Sequence, residues 1–321
     1  MPNKKQFPCE SIAFERSRSL KDFTTLRLGG NCRGVLSCHS EEELIRAIET
    51  LNQNKEKFVV IGAGSNILVS DFGFNSFVIR YISAKPEIKK ARDCIIVSGS
   101  TLLDDLASYA CLYSLGGINF ASGIPGTVGG AIVGNAGAYG RQMSDILESV
   151  TVVDINGKKH DLKKQYLRFG YRHSILKENG AIVLSVKIKL PKEKKSELIK
   201  EREYIMMERS LKHPNWRKIP TAGSFFKNIE PTSKAGLRKS AGWFLEQAGC
   251  KKLNVNGAKV FAKHANIVLT ENKNTTSQDV YDLSLKMFYA VKKMFNIELV
   301  REVRLLGDFK GKPKETTSLI W

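Results

Sequence analysis

Apolar positions along the first hundred residues alternate between two periods. Leu44, Ala47, Ile48 and Leu51 recur at the spacing of one helical face, and Ser40 with Glu43 three residues on is the capping-box signature that opens such a helix. The apolar run Phe58–Ile61 then ends in Gly62-Ala63-Gly64-Ser65-Asn66. It is followed by the extended-looking Ile67-Leu68-Val69 and by Phe77-Val78-Ile79, so the pattern predicts strand, glycine turn, strand. Residues 94–97 predict a further strand, and Thr101 with Asp104 a second capped helix that stops at Gly116-Gly117. The segments either side of Asn156-Gly157 predict a hairpin closed by a type I′ turn. Across 182–190, Ile182, Leu184, Val186 and Ile188 alternate with Val183, Ser185, Lys187 and Lys189, which predicts a strand with one wet face. Over 196–211 a helix carries Lys200, Arg202 and Arg209 among Glu197, Glu201, Glu203 and Glu208, the pattern of a solvated face.

The proline-flanked run HPNWRKIP marks a domain junction. Beyond it, strand alternation through GSFFKN puts Ser224, Phe226 and Asn228 on one side and Phe225 and Lys227 on the other. A helix through Ala241–Gln247 closed by Gly249, a long helix over 277–294, a last strand over 298–306 ending at Gly307 and a loosely held tail complete the expected elements.

Composition narrows the class. The chain has 321 residues, 42% hydrophobic and 26% charged, which excludes wholesale disorder and a disulfide-stapled miniprotein. No stretch reaches the roughly 18–20 apolar residues of a membrane span. The six cysteines are scattered without a CxxC pair and the five histidines lack metal-type spacing, so the expectation is a reduced, cytoplasmic, metal-free protein. The net charge of +19 attracts anions. Because the basic residues are spread along the chain without interleaved aromatics, they lack a nucleic-acid footprint, and a phosphorylated cofactor or nucleotide-linked substrate is the better expectation.

Three groups of residues could carry chemistry. In VVIGAGSN, a glycine turn after a buried strand lets backbone N–H groups approach a phosphate; Ile67 in the sixth position fails the dinucleotide fingerprint, and a tight turn is the bland alternative. Between 123 and 140 there are seven glycines among small apolar residues, so the backbone must pass close to something or adopt positive φ repeatedly. Together the two stretches suggest a long ligand with more than one phosphate, held from two sides. Past residue 170 stand Tyr171-Arg172 in RFGYRHS, Ser224 in AGSFFKN and Glu302 in REVRLLG. Taken singly, Ser224 reads as a strand serine. Glu302, kept ionised by Arg301 and Arg304, reads as a surface ion pair. No nucleophile, histidine and acid stand together.

In this order, TTLRLGG, IGAGSNILVSD, SGIPGTVGGAIVGNAGAYG, FGYRHS, AGSFFKN, HANIVL and EVRLLG resemble the UDP-N-acetylenolpyruvoylglucosamine reductase (MurB) family, from Thr24 to Gly307. The resemblance implies an α+β fold: a vanillyl-alcohol-oxidase (PCMH) type FAD-binding domain of two α+β subdomains, 1–80 and 81–212, then a small α+β substrate domain over 213–308 and a tail over 309–321. It implies non-covalent FAD held by Gly62, Ala63, Gly64, Ser65, Asn66 and Ile67 on one side. On the other side it implies Gly123, Pro125, Gly126, Thr127, Gly129, Gly130, Asn135 and Gly137. NADPH is the implied co-substrate and a UDP-enolpyruvyl sugar the substrate, in peptidoglycan precursor synthesis by a cytoplasmic monomer. The family's catalytic positions match Arg172 and Glu302, which would stabilise developing negative charge, and Ser224, which would protonate carbon. Its substrate contacts match Tyr171, Lys227, Asn228 and His264. Only a short stretch separates Tyr171-Arg172 from Ser224, which implies the compact subtype without a substrate-capping tyrosine loop. Asn119 stands where relatives usually carry glutamate, and Asn256-Gly257, Thr270 and the 131–134 stretch also depart from the usual pattern. The other enzyme reading is an FAD-dependent oxidase on the same fold. Many of those tether FAD through a histidine, and none occurs between His39 and His160.

Overall fold

The computed structural model describes residues 12–91, 94–229 and 239–311; the first eleven residues and the end of the expected tail lie outside them. The first unit contains β1 (Ala13–Arg16), β2 (Cys32–Cys38), α1 (Glu41–Gln53), β3 (Phe58–Ile61), β4 (Ile67–Val69) and β5 (Phe74–Tyr81). Its sheet has the order β1-β2-β5-β3, with β2, β5 and β3 parallel and β1 antiparallel. The apolar stripe of α1 is buried with Leu36, Cys38, Ile79 and Tyr81 on one face. Ser40 Oγ accepts from Glu43 N at 3.2 Å, but the Glu43 carboxylate accepts from His39 N rather than Ser40 N, so the box closes one residue early. On the other face Val35, Val59, Ile61 and Val78 pack with Leu20 and Phe23.

The second unit runs through β6 (Ile88–Ala91), β7 (Cys94–Ser98), α2 (Leu103–Leu112), α3 (Val128–Val133), β8 (Gly137–Ala138), β9 (Arg141–Gln142), α4 (Met143–Ile146), β10 (Leu147–Val153), β11 (Lys159–Lys163), α5 (Leu176–Asn179), β12 (Ile182–Lys189) and α6 (Lys195–Lys212). An antiparallel sheet, β11-β10-β12-β7-β6, carries α2 and α3 on its buried face. Several local expectations change here. The N-cap of α2 is Leu102, without a side-chain bond. Thr101 Oγ1 instead accepts from Glu87 N, and Asp104 accepts from Gly123 N at 2.8 Å and pairs with Arg202 at 2.8 Å. The helix ends at Leu112, ahead of the glycine pair. The 154–158 loop has positive φ at Gly157 alone, because the Asp154 carboxylate accepts from both Asn156 N and Lys158 N; it is therefore not a type I′ turn. The first half of β12 is dry on both faces, since Ile182 and Leu184 enter the first unit's core while Val183, Val186 and Ile188 enter the second's. On α6, Arg202 and Arg209 are half-buried and Glu201 accepts from the amide of the buried Asn119 at 2.6 Å, so that face is a packing surface.

The third unit comprises β13 (Thr221–Ser224), α7 (Ala241–Gln247), β14 (Asn254–Val255), β15 (Ala258–Phe261), β16 (His264–Thr270), α8 (Ser277–Phe295) and β17 (Arg304–Leu306). The antiparallel sheet β13-β16-β15-β14 packs against α7 and α8. The two-residue connection Asn256-Gly257, with φ of 45° and 90°, has the positive φ at both positions that a type I′ turn requires, as does Tyr139-Gly140 between β8 and β9. The expected strand over 298–306 shrinks to β17, which leaves this sheet to pair in parallel with β4 of the first unit. A second tie between these units is Asp71, whose carboxylate accepts from Ser277 N at 2.8 Å and Gln278 N at 2.9 Å and so caps α8. Among the described residues no helix is long and apolar enough to cross a membrane, and no cluster of histidine, cysteine and acid could hold a metal ion.

Candidate active site

The two glycine-rich stretches lie against each other. Ser65 Oγ donates to Pro125 O at 3.0 Å, and a Cβ on Gly62 would stand 2.5 Å from Thr127 Oγ1, so only glycine permits that approach. Gly64 has φ +61°, and a Cβ there would fall 1.9 Å from the carbonyl oxygen of Phe23. The second stretch is anchored to the sheet by Val128 N donating to Thr101 O and Gly129 N to Gly99 O. Other backbone donors of the two stretches stay unmatched. Among the described residues no protein acceptor meets the N–H groups of Ala63, Gly64, Ser65, Gly126 or Thr127. Gly130 is exposed, with only Thr127 Oγ1 at 3.5 Å from a notional Cβ. The result is a cradle of unmatched backbone donors with an open face at Gly130. At its edge Arg209 lies 5.9 Å over the Tyr139 ring with a buried Nε that has no partner, and Ser122 Oγ is likewise buried and unmet.

Asn135 is fully buried at φ +43°. Its carbonyl accepts from Ser144 N, and its amide donates to Gln142 Oε1 and to Gly170 O. Both amide hydrogens are used inside the protein, and the side chain ties 135–144 to the segment bearing Arg172.

Arg172 stands at φ +53° on a two-residue tip closed by the Gly170–His173 bridge. Its Nε donates to Glu302 Oε1 at 2.9 Å, across 130 residues of chain, and its Nη2 to Gly137 O at 2.9 Å. Glu302 is therefore no pair with Arg301 or Arg304: Arg301 lies over the Tyr281 ring instead, at 5.3 Å. Glu302 N donates to Phe225 O at 2.8 Å, and Asn66 Nδ2 donates to Glu302 O at 3.3 Å. The glycine cradle, the Arg172–Glu302 pair and the end of β13 are thus neighbours through three hydrogen bonds.

Ser224 ends β13 beside a bulge in which Gly223 has φ +73°. The expected alternation fails after it, with Phe225 and Phe226 both buried. Asn266 explains this: its backbone carbonyl accepts from Phe225 N, while its side chain accepts from Phe226 N and donates to Phe226 O, replacing a strand's ladder locally. Ser224 is half-buried, and its hydroxyl makes no hydrogen bond among the described residues. Tyr171 OH accepts from Asn228 N at 3.1 Å, and Lys227 N donates to Val300 O. His264 sits on β16, three residues from the register partner of Ser224, its ring 5.5 Å from that of His213.

Charge is concentrated here. Lys177 Nζ donates to Arg172 O at 2.6 Å, and burial, with Lys227 and Arg304 nearby, pulls its ammonium down to about 8. Burial beside Arg209 and His264 pulls His213 down to about 4 and lowers His264 as well. Lys177, Arg209 and Asn266 were not singled out by sequence. The one available signal was Asn266, an isolated amide in the otherwise apolar run 265–269, since a buried amide must be bonded.

Comparison with known proteins bears on the whole chain. A model described as an FAD binding domain matches residues 32–163, and one described as the UDP-N-acetylenolpyruvoylglucosamine reductase C-terminal domain matches 213–306. A curated UDP-N-acetylenolpyruvoylglucosamine reductase of Caldanaerobacter subterraneus subsp. tengcongensis is 37% identical over 90% of this chain and 92% of its own. One from Streptococcus suis is 34% identical over 96% and 98%. The crystal structure of UDP-N-acetylenolpyruvylglucosamine reductase from Thermus caldophilus superposes with a TM-score of 0.76 at 31% identity, covering 92% of this chain and all of that one.

Proposed function

The chain belongs to the UDP-N-acetylenolpyruvoylglucosamine reductase (MurB) family, and from that premise we propose that it reduces UDP-N-acetylglucosamine-enolpyruvate to UDP-N-acetylmuramate, with NADPH and non-covalent FAD, in peptidoglycan precursor synthesis in the cytoplasm. The observation that carries this is the continuity of the cradle with the Arg172–Glu302 pair and Ser224.

The residues present fit FAD. A pyrophosphate needs several donors within a few ångströms and no side chain in the way; the free N–H groups of 63–65 and 126–127 and the open face at Gly130 meet both needs. Gly62, Gly64 and Gly129 serve the close packing that shapes the cradle, Asn66 ties it to Glu302, and Asn135 positions rather than binds. The chemistry supplied by the bound cofactor is hydride transfer, from NADPH to flavin N5 and on to the terminal carbon of the enolpyruvyl ether.

The protein's own part is electrostatics and one proton. Negative charge develops on the adjacent carbon and spreads into the carboxylate. Arg172, fixed by Glu302 and Gly137, opposes that charge with a guanidinium that needs no reorganisation. Glu302 holds the guanidinium in place. The unengaged Ser224 hydroxyl gives its proton to the carbanion carbon, which is basic enough to take it from a weak acid. Tyr171, Lys227 and Asn228, joined across the Tyr171–Asn228 bond, stand where they can receive the UDP-sugar, with His264 on the neighbouring strand.

Ser224→Ala tests the assignment. NADPH should still bleach the flavin at the wild-type rate, while reoxidation by the enolpyruvyl sugar slows roughly 100-fold or more. Equal slowing of both halves would remove Ser224 from its role. Flavin that regains its colour with oxygen but not with the sugar would move the protein to the oxidases.

A further inference from the structure

Arg172 is held in a backbone conformation that side-chain-bearing residues rarely keep unless their surroundings fix it. The Gly170–His173 bridge fixes the base of its loop, and the tip is fixed by Lys177, which reaches back from α5 to the Arg172 carbonyl. That ammonium makes this bond rather than one to Glu302. Around it stand Arg172 on the same loop, Lys227 after β13, Arg304 on β17 and one acid, Glu302 beside β17. Four cations face one carboxylate. A half-buried cluster of that composition has a place for an anion, and Lys177 is the member whose removal would both free the tip and lower the charge.

We propose that Lys177 is the positioning residue of this centre: it clamps Arg172 in its left-handed conformation and, with Lys227 and Arg304, supplies the positive field that receives the substrate's carboxylate. The inference rests on the role given to Arg172 above. Its consequence is a dependence on pH that the clamp alone would not produce. A neutral amine still donates to the Arg172 carbonyl, but it no longer contributes to the field. Loss of the Lys177 proton, from an ammonium that burial has pulled to about 8, should therefore slow carboxylate-dependent steps on the alkaline side.

The test uses the FAD-loaded enzyme and its Lys177→Met and Lys177→Arg variants. Flavin reoxidation by UDP-N-acetylglucosamine-enolpyruvate is followed by stopped flow from pH 6 to 10, alongside thermal unfolding. Lys177→Met should reoxidise about 10–100-fold more slowly at neutral pH, the loss expected for a charge-assisted contact, with kcat falling more than KM rises. The wild type should lose rate as pH passes about 8. Lys177→Arg should keep its rate to pH 10, because a guanidinium stays charged there. Wild-type rates in Lys177→Met, or an unchanged alkaline limb in Lys177→Arg, would overturn the proposal. Should Lys177→Met fail to fold, the Lys177→Arg profile decides alone. Ser224→Ala run in parallel separates the two levels: if it too reoxidises normally, the reading of the whole site fails, and if it slows while the Lys177 variants do not, only this inference does.

Discussion

Gly129 and Gly130 are adjacent in sequence and oppose each other in consequence. A Cβ on Gly129 would stand 3.0 Å from Gly99 O and 3.4 Å from Gly99 Cα, against the backbone that also accepts the Gly129 N–H. Overpacking of that kind costs about 1–3 kcal/mol, against about 0.5–1 kcal/mol returned by replacing a helical glycine. Gly129→Ala should therefore lose on the order of 1 kcal/mol. A Cβ on Gly130 meets only Thr127 Oγ1 at an ordinary 3.5 Å. Without cofactor, Gly130→Ala should then gain about 0.5–1 kcal/mol, raising the melting temperature by about 1–2 °C. Its price falls on the ligand: a methyl group on the open face of the cradle should weaken FAD at least about tenfold, or 1.4 kcal/mol. Differential scanning fluorimetry of the apoprotein and quenching of flavin fluorescence on titration separate the two effects. A Gly130→Ala protein that is stabilised and still binds FAD like wild type would refute the claim that this face meets the cofactor. An unperturbed Gly129→Ala protein would refute the packing argument.

Two further outcomes concern stability. Asp71→Ala removes the acceptor for two N–H groups of α8 but leaves the Thr276 capping box, so urea unfolding should show a loss of about 1 kcal/mol; an unchanged midpoint would mean the bond between units contributes nothing. His213 stays neutral in the folded chain down to about pH 4, whereas the unfolded chain protonates it near 6.5. In that window the unfolded state binds more protons, so stability falls as pH falls, by an amount approaching about 3 kcal/mol at the low end. His213→Asn should flatten that part of the acid-unfolding curve, and an identical curve would exclude this histidine as its source.

The elements legible in the sequence are those whose side chains decide their surroundings. Helix α1 was legible because its stripe meets a single sheet face, and β3 because an apolar run ends at a glycine turn. The Asn-Gly dipeptide shows the limit. At 256–257 both residues take positive φ between directly paired strands, and the turn is type I′. At 156–157 Asp154 offers its carboxylate to two N–H groups and wins the loop for another geometry. The cap expected at Thr101 failed in the same way, its acid being taken by Gly123 N and Arg202. In the first case a neighbouring side chain competes for the loop's N–H groups, and in the second the capping groups find partners distant in sequence, which a local pattern does not contain. Asn119 is a further long-range tie of this sort, its amide donating to Leu198 O and to the Glu201 carboxylate of α6, 79 and 82 residues on.

The site was legible as residues and not as an arrangement, and the reason is the nature of its connections. Glu302 looked like the partner of its neighbours Arg301 and Arg304, because charge next to charge is all that sequence offers. Its chain position is instead set by Phe225 O and by the amide of Asn66, and its carboxylate meets Arg172 across 130 residues. Two of those three bonds use backbone groups, which any residue type would supply, so no motif records them. The excess charge of +19 was likewise visible only as a total. The fold gathers Arg172 and Lys177 of one segment with Lys227 and Arg304 of two others around one acid, and it is that concentration, rather than the total, that would draw an anionic ligand to this site.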